Sequence, residues 1–401
     1  MKKTFLFFGF MITSLGLLIT ACKSNNDLNG SGVQVIPVTA QASNQSLSEI
    51  LSIDAFTPIL PNSGYEIRGI NNIIFLENQF FILDNSTDFQ HIWSFKEDGT
   101  FVGKIGEYSE SAPDGYAGIN GFGYTEKPDE LLVLDAGKMS FKQYNTSGQL
   151  RVNLPNAMFG EDAHKTANGD FVVYNEYGSS EFSAFHHLSI FDKKGNLTKR
   201  FYPYPERLDG MSYQYTGFLN KSDQTIWFSP PFCDTVFSVT SDGVKPEYIF
   251  DFGQSAIPAA MKENKIDGWD VDNFSYLNAS FFKCGKYIIF DYHHRDYANI
   301  GLYDTHNSKM ISVQDAAQDN LHQLLKVGSL YYKDAQSFTF VLTAKRLDYL
   351  IQNNNIDLAA VEINKPALAA AIQSVANTKG AYLMLHVGLH PTAVLSGVSS
   401  L

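Results

Sequence analysis

Six short apolar runs, each closed by a polar residue, recur along this chain at residues 80–84, 131–135, 171–175, 225–229, 287–291 and 338–343. Being apolar on both faces, they read as central strands buried between neighbouring sheets. A second series interleaves with the first: strands that end in polar turns closed by Gly99, Gly148, Gly195 and Gly243. These glycines stand 49, 47 and 48 residues apart, a regularity that unrelated hairpins do not show. A fifth copy, residues 302–307, ends in Asn307, the next-best residue for the left-handed conformation such a turn requires.

Six units follow from the two series. The first reads as four strands, residues 68–76, 80–84, 91–95 and 101–105, joined by the short connections of a meander. Four-stranded units of this length arranged radially are propeller blades. The predicted fold class is therefore all-β: a six-bladed β-propeller of four-stranded antiparallel blades, with small helical insertions near the C-terminus. Those insertions are residues 344–351 and 366–376, ahead of a single strand at 381–386. They leave the last blade short of strands, and an open blade would expose an unpaired edge. The expected remedy is that residues 52–60 pair with C-terminal strands to close the ring. Residues 254–273 read as an insertion between blades four and five, with helix-like spacing around 258–264.

The N-terminus has a different character. Lys2 and Lys3 precede an uncharged apolar run at residues 5–19, followed by small residues, which is the layout of a secretory signal. The run is 15 residues long, short of the roughly 20 that a spanning helix needs. At its end, Ile19-Thr20-Ala21-Cys22 resembles the lipobox of bacterial lipoproteins, in which the cysteine thiol is acylated. Residues 23–45 are rich in Asn, Ser and Gln and poor in large apolar residues, as a flexible tether is. The expected organisation is a signal peptide at 1–21, a tether at 22–49, the propeller at 50–390 and a tail at 391–401.

Phe-Phe-Ile-Leu-Asp at 80–84, His-Ile-Trp-Ser-Phe at 91–95 and Glu-Asp-Gly-Thr-Phe at 97–101 are together similar to NHL and TolB-type propeller repeats. With the lipobox, the chain resembles the six-bladed β-propeller lipoproteins of Bacteroidetes over residues 50–343. That resemblance implies a fold and an envelope address, the outer membrane being the expected one, and carries no catalytic signature.

Composition narrows the partners. With 31 Phe and 21 Tyr the chain favours pleated, half-buried surfaces. A net charge of −12 without any basic cluster argues against nucleic acid, whose phosphates require Lys and Arg. Besides Cys22 only Cys233 and Cys284 remain, too few for a disulfide-supported scaffold.

No nucleophile elbow, zinc-protease helix, phosphate loop or EF-hand loop is present, and no cofactor or metal is expected. The expected ligand site is the mouth where the loops after Asp84, Asp135, Asn175, Ser229, Asp291 and Thr343 converge. The third loop holds Tyr177, Phe182 and Phe185, the fourth Phe232, and the fifth Tyr292, His293, His294, Arg295 and Tyr297. Rings beside polar groups suit a sugar or peptide, although the same rings also serve to pack loops together. His293 and His294, adjacent on an extended segment, point opposite ways and do not suit one metal. Glu161, Asp162 and His164 include a candidate carboxylate pair for acid–base chemistry, with a polar strand start as the competing reading. Asp234-Thr235-Val236 resembles the O-glycosylation acceptor of Bacteroidetes, which makes Thr235 a candidate.

Three function classes fit: a membrane-anchored, non-enzymatic binding module for a glycan, peptide or envelope protein; a propeller-type glycan hydrolase or lyase; and a structural accessory of an envelope assembly. The first is the expectation carried forward.

Overall fold

The chain adopts a six-bladed β-propeller. A computed structural model describes residues 32–390, except 39–44, 87–88, 156–159, 179, 181–182, 214–216, 263, 265–270, 272, 295–296, 314–315 and 317–318. Cys22, Phe182, Arg295, the signal segment and the tail lie outside the described residues.

Two strands come from the N-terminal segment, β1 (Gln34–Pro37) and β2 (Leu51–Ile59). Blade one follows as β3 (Asn72–Leu76), β4 (Gln79–Ser86), β5 (Phe89–Lys96) and β6 (Phe101–Lys104). Blade two is β7 (Ile119–Tyr124), β8 (Glu130–Asp135), β9 (Ser140–Asn145) and β10 (Leu150–Pro155). Blade three is β11 (Asp162–Lys165), β12 (Phe171–Tyr174), β13 (His186–Phe191) and β14 (Leu197–Pro203). Blade four is β15 (Phe218–Ser222), β16 (Thr225–Ser229), β17 (Thr235–Val239) and β18 (Val244–Asp251). Between it and blade five lies the one-turn helix α1 (Ala259–Lys262). Blade five is β19 (Ser275–Cys284), β20 (Tyr287–His294), β21 (Tyr297–Asp304) and β22 (Lys309–Ser312), and α2 (Asn320–Val327) leads out of it. Blade six has β23 (Ser329–Tyr332) and β24 (Ser337–Thr343), then α3 (Ala344–Gln352), α4 (Leu358–Asn364) and α5 (Pro366–Ala376), then β25 (Tyr382–Leu389).

Blade six has the order β2-β25-β24-β23, so the N-terminal strand is its outermost member. Leu51 to Ile59 pair antiparallel with Leu389 to Tyr382, which closes the ring as the edge argument requires.

The core sits between blades rather than within them. One cluster joins Phe81 and Leu83 of blade one to Phe122 and Val133 of blade two. The next joins Leu132 and Phe141 to Phe171 and Val173 of blade three, with the Phe141 and Phe171 rings stacked at 4.2 Å. This arrangement is why the second strands are apolar on both faces: each covers two neighbours. The largest cluster lies between blades five and six, where α2, α3 and α5 add Leu324, Leu347 and Ile372. No helix among the described residues is long and apolar enough to cross a membrane.

The repeated turns are only partly uniform. Gly99, Gly148 and Gly195 take left-handed φ of 85°, 84° and 83°, whereas Gly243 does not. In the fifth copy the left-handed residue is Ser308, φ 57°, one position past the expected Asn307. At Gly99 a side chain is excluded twice over, since a Cβ would lie 2.8 Å from the Pro58 carbonyl on the closing strand.

The tether reading needs correction. β1 pairs in parallel with β18, giving blade four a fifth strand, and Ile36 is fully buried against that blade. The β-branched Val33, Val35, Ile36 and Val38 suit a strand, and the outer edge of β18 offers unpaired backbone to it. Cys284 is a free, buried thiol, so it forms no bridge to Cys233.

Candidate functional site

The inner strands of the blades enclose a cavity of about 910 Å3 around the ring axis. Several of its asparagines are structural. Asn72 Nδ2 donates to the Phe122 carbonyl at 3.0 Å, Asn85 Nδ2 to Ile119 at 2.8 Å and Asn220 Nδ2 to Ala279 at 3.0 Å, each tying one blade to the next.

The carboxyls of the second strands and of the cavity wall differ in how far they are committed. In blades one and two a fully buried acid near the end of the second strand holds the incoming chain. Asp84 accepts from the Arg68 and Gly69 amides, and Asp135 Oδ1 from Ala117, Gly118 and Lys138 at 3.1 Å each. Asp291 is the blade-five counterpart. There β19 bulges between Leu277 and Phe281, and the Asp291 carboxyl accepts from the Ser280 amide at 2.6 Å while lining the cavity. Burial pushes its pKa up to about 7, against the opposing Ser280 hydrogen bond.

Blade three contributes Glu161, Asp162 and His164 to the cavity. Burial pushes the Asp162 carboxyl up to about 8, and Glu161 upward as well. The Asp162 side chain keeps 24% of its surface open, so cavity water moderates that rise. His164 is neutral. Its Nδ1 accepts the Tyr124 amide at 3.2 Å, its Nε2 therefore donates to the Leu219 carbonyl at 3.3 Å, and burial drives its pKa down to about 3. At 3.8 Å from Asp162 it is a neighbour rather than an ion-pair partner. The imidazole weighed as an acid–base group is thus a strut across blades two, three and four.

Two further groups complete the wall. Tyr174 ends β12, one residue before Asn175, which holds the place of the acids in other blades, and its buried phenol oxygen has no hydrogen-bond partner among the described residues. Its pKa lies well above the usual phenol range because of burial, so it stays a donor. Lys221 Nζ donates to the carbonyls of Thr125 and Lys165 at 2.9 and 3.2 Å, and burial lowers its pKa to about 8.

The aromatic residues expected at the mouth lie elsewhere. Tyr177, Phe232 and Tyr292 are all buried. A chain of ring contacts runs from Tyr177 through Tyr213 and Phe232 to Tyr276 and the stacked His293, with centroids 5.7, 4.8, 5.3 and 4.8 Å apart. These rings hold the third, fourth and fifth loops together, which is the packing role weighed against ligand contact. Tyr292 packs separately, against Phe252 and Phe290. The fifth loop is also shorter than expected, because β20 continues to His294, whose Nδ1 is 2.7 Å from Ser275 Oγ. Thr235 is 2% exposed at the start of β17, so the folded domain does not present it for glycosylation. Among the described residues no three His, Cys, Asp or Glu side chains are grouped to hold a metal ion.

Residues 62–384 match a family model described as a domain of unknown function, DUF4934. No curated protein matches the chain. Among solved structures, an exported protein of Bacteroides fragilis NCTC 9343 superposes with a TM-score of 0.68 at 16% identity, covering 89% of this chain and 99% of that one. A member of the DUF4221 family from Bacteroides vulgatus ATCC 8482 gives a TM-score of 0.53 at 8% identity, over 85% and 98% of the two chains. At these identities the likeness is one of fold.

Proposed function

The chain belongs to the DUF4934 family, and we propose that it is an envelope propeller acting on a glycan in its central cavity, as a hydrolase or lyase with Asp162 as proton donor. The observation that supports this reading is a carboxyl on the cavity wall whose burial keeps its proton at neutral pH. Glycan cleavage needs such an acid for the departing oxygen, and a second carboxyl with a lower pKa to take a proton. Asp291, the carboxyl that blade five adds to the same cavity, is assigned the second role. In hydrolysis Asp162 protonates the glycosidic oxygen as its bond to the anomeric carbon breaks, while Asp291 removes a proton from the attacking water. Tyr174 donates a hydrogen bond to the bound sugar. An envelope address agrees with the signal-like N-terminus and with the exported Bacteroides fragilis propeller, and Cys22 is the inferred lipid attachment.

The test is a panel of polysaccharides and envelope fractions, read by new reducing ends and by the ultraviolet absorbance of unsaturated products. Wild type, Asp162→Asn and Asp291→Asn are compared, with melting curves to verify folding. Turnover lost in both variants is the expected result. Turnover surviving both overturns the assignment. Ligand bound equally by all three without turnover makes the cavity a binding site instead. For the anchor, Cys22→Ser is expected to move the protein to the soluble fraction; a variant still membrane-bound and lipid-labelled overturns that inference.

A further inference from the structure

The cavity wall differs from one side of the ring to the other. Blades three and six are opposite one another in a ring of six, and the carboxyls Glu161 and Asp162 belong to blade three. On the blade-six side the wall carries two cations, Lys326 from the last turn of α2 and Arg346 from the first turn of α3. Neither has an ion-pair partner among the described residues.

Arg346 is held in place. Its backbone amide is capped by Thr343 Oγ1 at 3.3 Å, and Nη1 donates to the Val327 carbonyl at 2.7 Å and to Ser329 Oγ at 3.3 Å. The guanidinium therefore bridges the end of α2 and the start of β23, and both it and Lys326 are solvent-exposed on the cavity wall. Two cations without counter-ions on one side of a cavity favour an anion that reaches both, and the rigid guanidinium fork suits a carboxylate. Both residues belong to helices outside the regular blade repeat, so the charge is a property of this cavity rather than of propeller strands.

A second observation points to a ligand in the same cavity, on its blade-three side. The Tyr174 phenol, nine-tenths buried, belongs to the cavity lining and has no partner among the described residues, and Gly217 packs close beside it. A Cβ at Gly217 would stand 2.7 Å from the Tyr174 oxygen. A hydroxyl-rich ligand supplies the missing acceptor.

We propose that the glycan taken by this cavity is a uronate, its carboxylate received by Lys326 and Arg346 while its hydroxyls face Asp162 and Tyr174. The proposal rests on the glycan reading above and narrows its reaction to elimination. Neutralising the carboxylate acidifies the adjacent C5–H. Asp291 takes that proton, the C–H electron pair becomes the C4–C5 double bond, and the C4–O bond breaks with its oxygen protonated by Asp162. No oxidant, reductant or water enters the balance.

The experiment measures binding of uronate trimers (galacturonate, glucuronate and mannuronate) against their carboxyl-reduced neutral counterparts and a sulfated neutral trimer. It uses the full chain as wild type, Lys326→Gln, Arg346→Lys, Arg346→Gln and the double Gln variant. The expected result is a uronate bound at least about tenfold tighter than its neutral counterpart, or about 1.4 kcal/mol, by wild type. The preference should fall in each Gln variant, vanish in the double and be partly kept in Arg346→Lys. Should Arg346→Gln fail to fold, Lys326→Gln and Arg346→Lys still report the ratio. Equal or tighter binding of the neutral trimer, a preference for sulfate, or a preference intact in the folded double variant overturns the uronate while leaving a glycan site. Binding of no trimer by any form removes the glycan reading itself.

Discussion

Thr57 and His386 stand 329 positions apart in the chain and share a 3.2 Å hydrogen bond across the seam where β2 meets β25. The Thr57 hydroxyl proton goes to the Glu97 carbonyl at 2.7 Å, so His386 Nε2 is the donor to Thr57. Its Nδ1 then accepts from Thr339 Oγ1 at 2.9 Å. One neutral imidazole thus links three strands of blade six, and through Thr57 the β5–β6 turn of blade one.

That arrangement predicts acid sensitivity. Burial lowers the His386 pKa to about 4, helped by Lys333 and opposed by Asp334. A histidine depressed in the fold contributes stability above its ordinary value near 6.5, and this stability is lost as pH falls toward 4. His164 and His187, both lowered to about 3 by burial, act in the same direction. Melting temperature should therefore decline below about pH 6.5, and the decline should be shallower in His386→Gln. Parallel curves for the two proteins would exclude the residue as a contributor.

The two N-terminal strands should differ in weight. A chain beginning at residue 45 loses β1 and the burial of Ile36 and Val38, about 2–4 kcal/mol by area, and should melt a few degrees lower. A chain beginning at residue 62 loses β2 and opens the ring, and should show no cooperative transition. Thermal melts of both truncations decide this, and equal values would contradict the seam.

Asp135 and Asp291 should respond differently to the same change. Asp135→Ala strands three backbone amides together with the buried Lys142, whose Nζ is 3.9 Å away, and should cost at least about 3 kcal/mol in denaturant unfolding. Asp291→Asn keeps an acceptor for the single Ser280 amide and should cost under about 1 kcal/mol.

The proposed proton donor should also be a source of instability. Because the Asp162 pKa is raised to about 8, the fold's preference for the protonated form contributes fully below pH ~4 and is lost as pH rises through 8. Asp162→Asn cannot ionise. It should gain about 1–2 kcal/mol over wild type between pH 5 and pH 8, once solvent in the cavity is allowed for, while losing turnover. A gain that does not grow with pH would show that the carboxyl is not held protonated.

Sequence patterning reached the blades because each obeys local rules: Phe141 and Phe171 are apolar for the neighbours they cover, and Gly99 is a glycine for its turn. It reached the closing strand through the count of strands left for blade six. It missed β1, whose partner lies more than 200 residues away, and it ended β20 at Asp291 because a polar residue ended the equivalent runs. Glu161, Asp162 and His164 were visible as a polar cluster, but only the ring brings Asp291 to the same cavity. Nothing local marked Tyr174, Lys326 or Arg346, since their neighbours are set by blade order. The aromatic loop residues misled because ring contacts such as Tyr213 with Phe232 look, in one dimension, like an exposed binding surface.

The parallel pairing of β1 with β18 sets the direction from which the chain arrives. Gln34 lies opposite Tyr248 and Pro37 opposite Asp251, so the segment enters on the side of the hairpin turns and runs toward the crossover to blade five. A pull on the residues before Gln34 acts along the strand axis, and the paired positions must shear together rather than unzip one at a time. Whatever holds the chain at that end, blade four becomes the mechanical clamp, and the load enters on the face opposite the crossover to blade five.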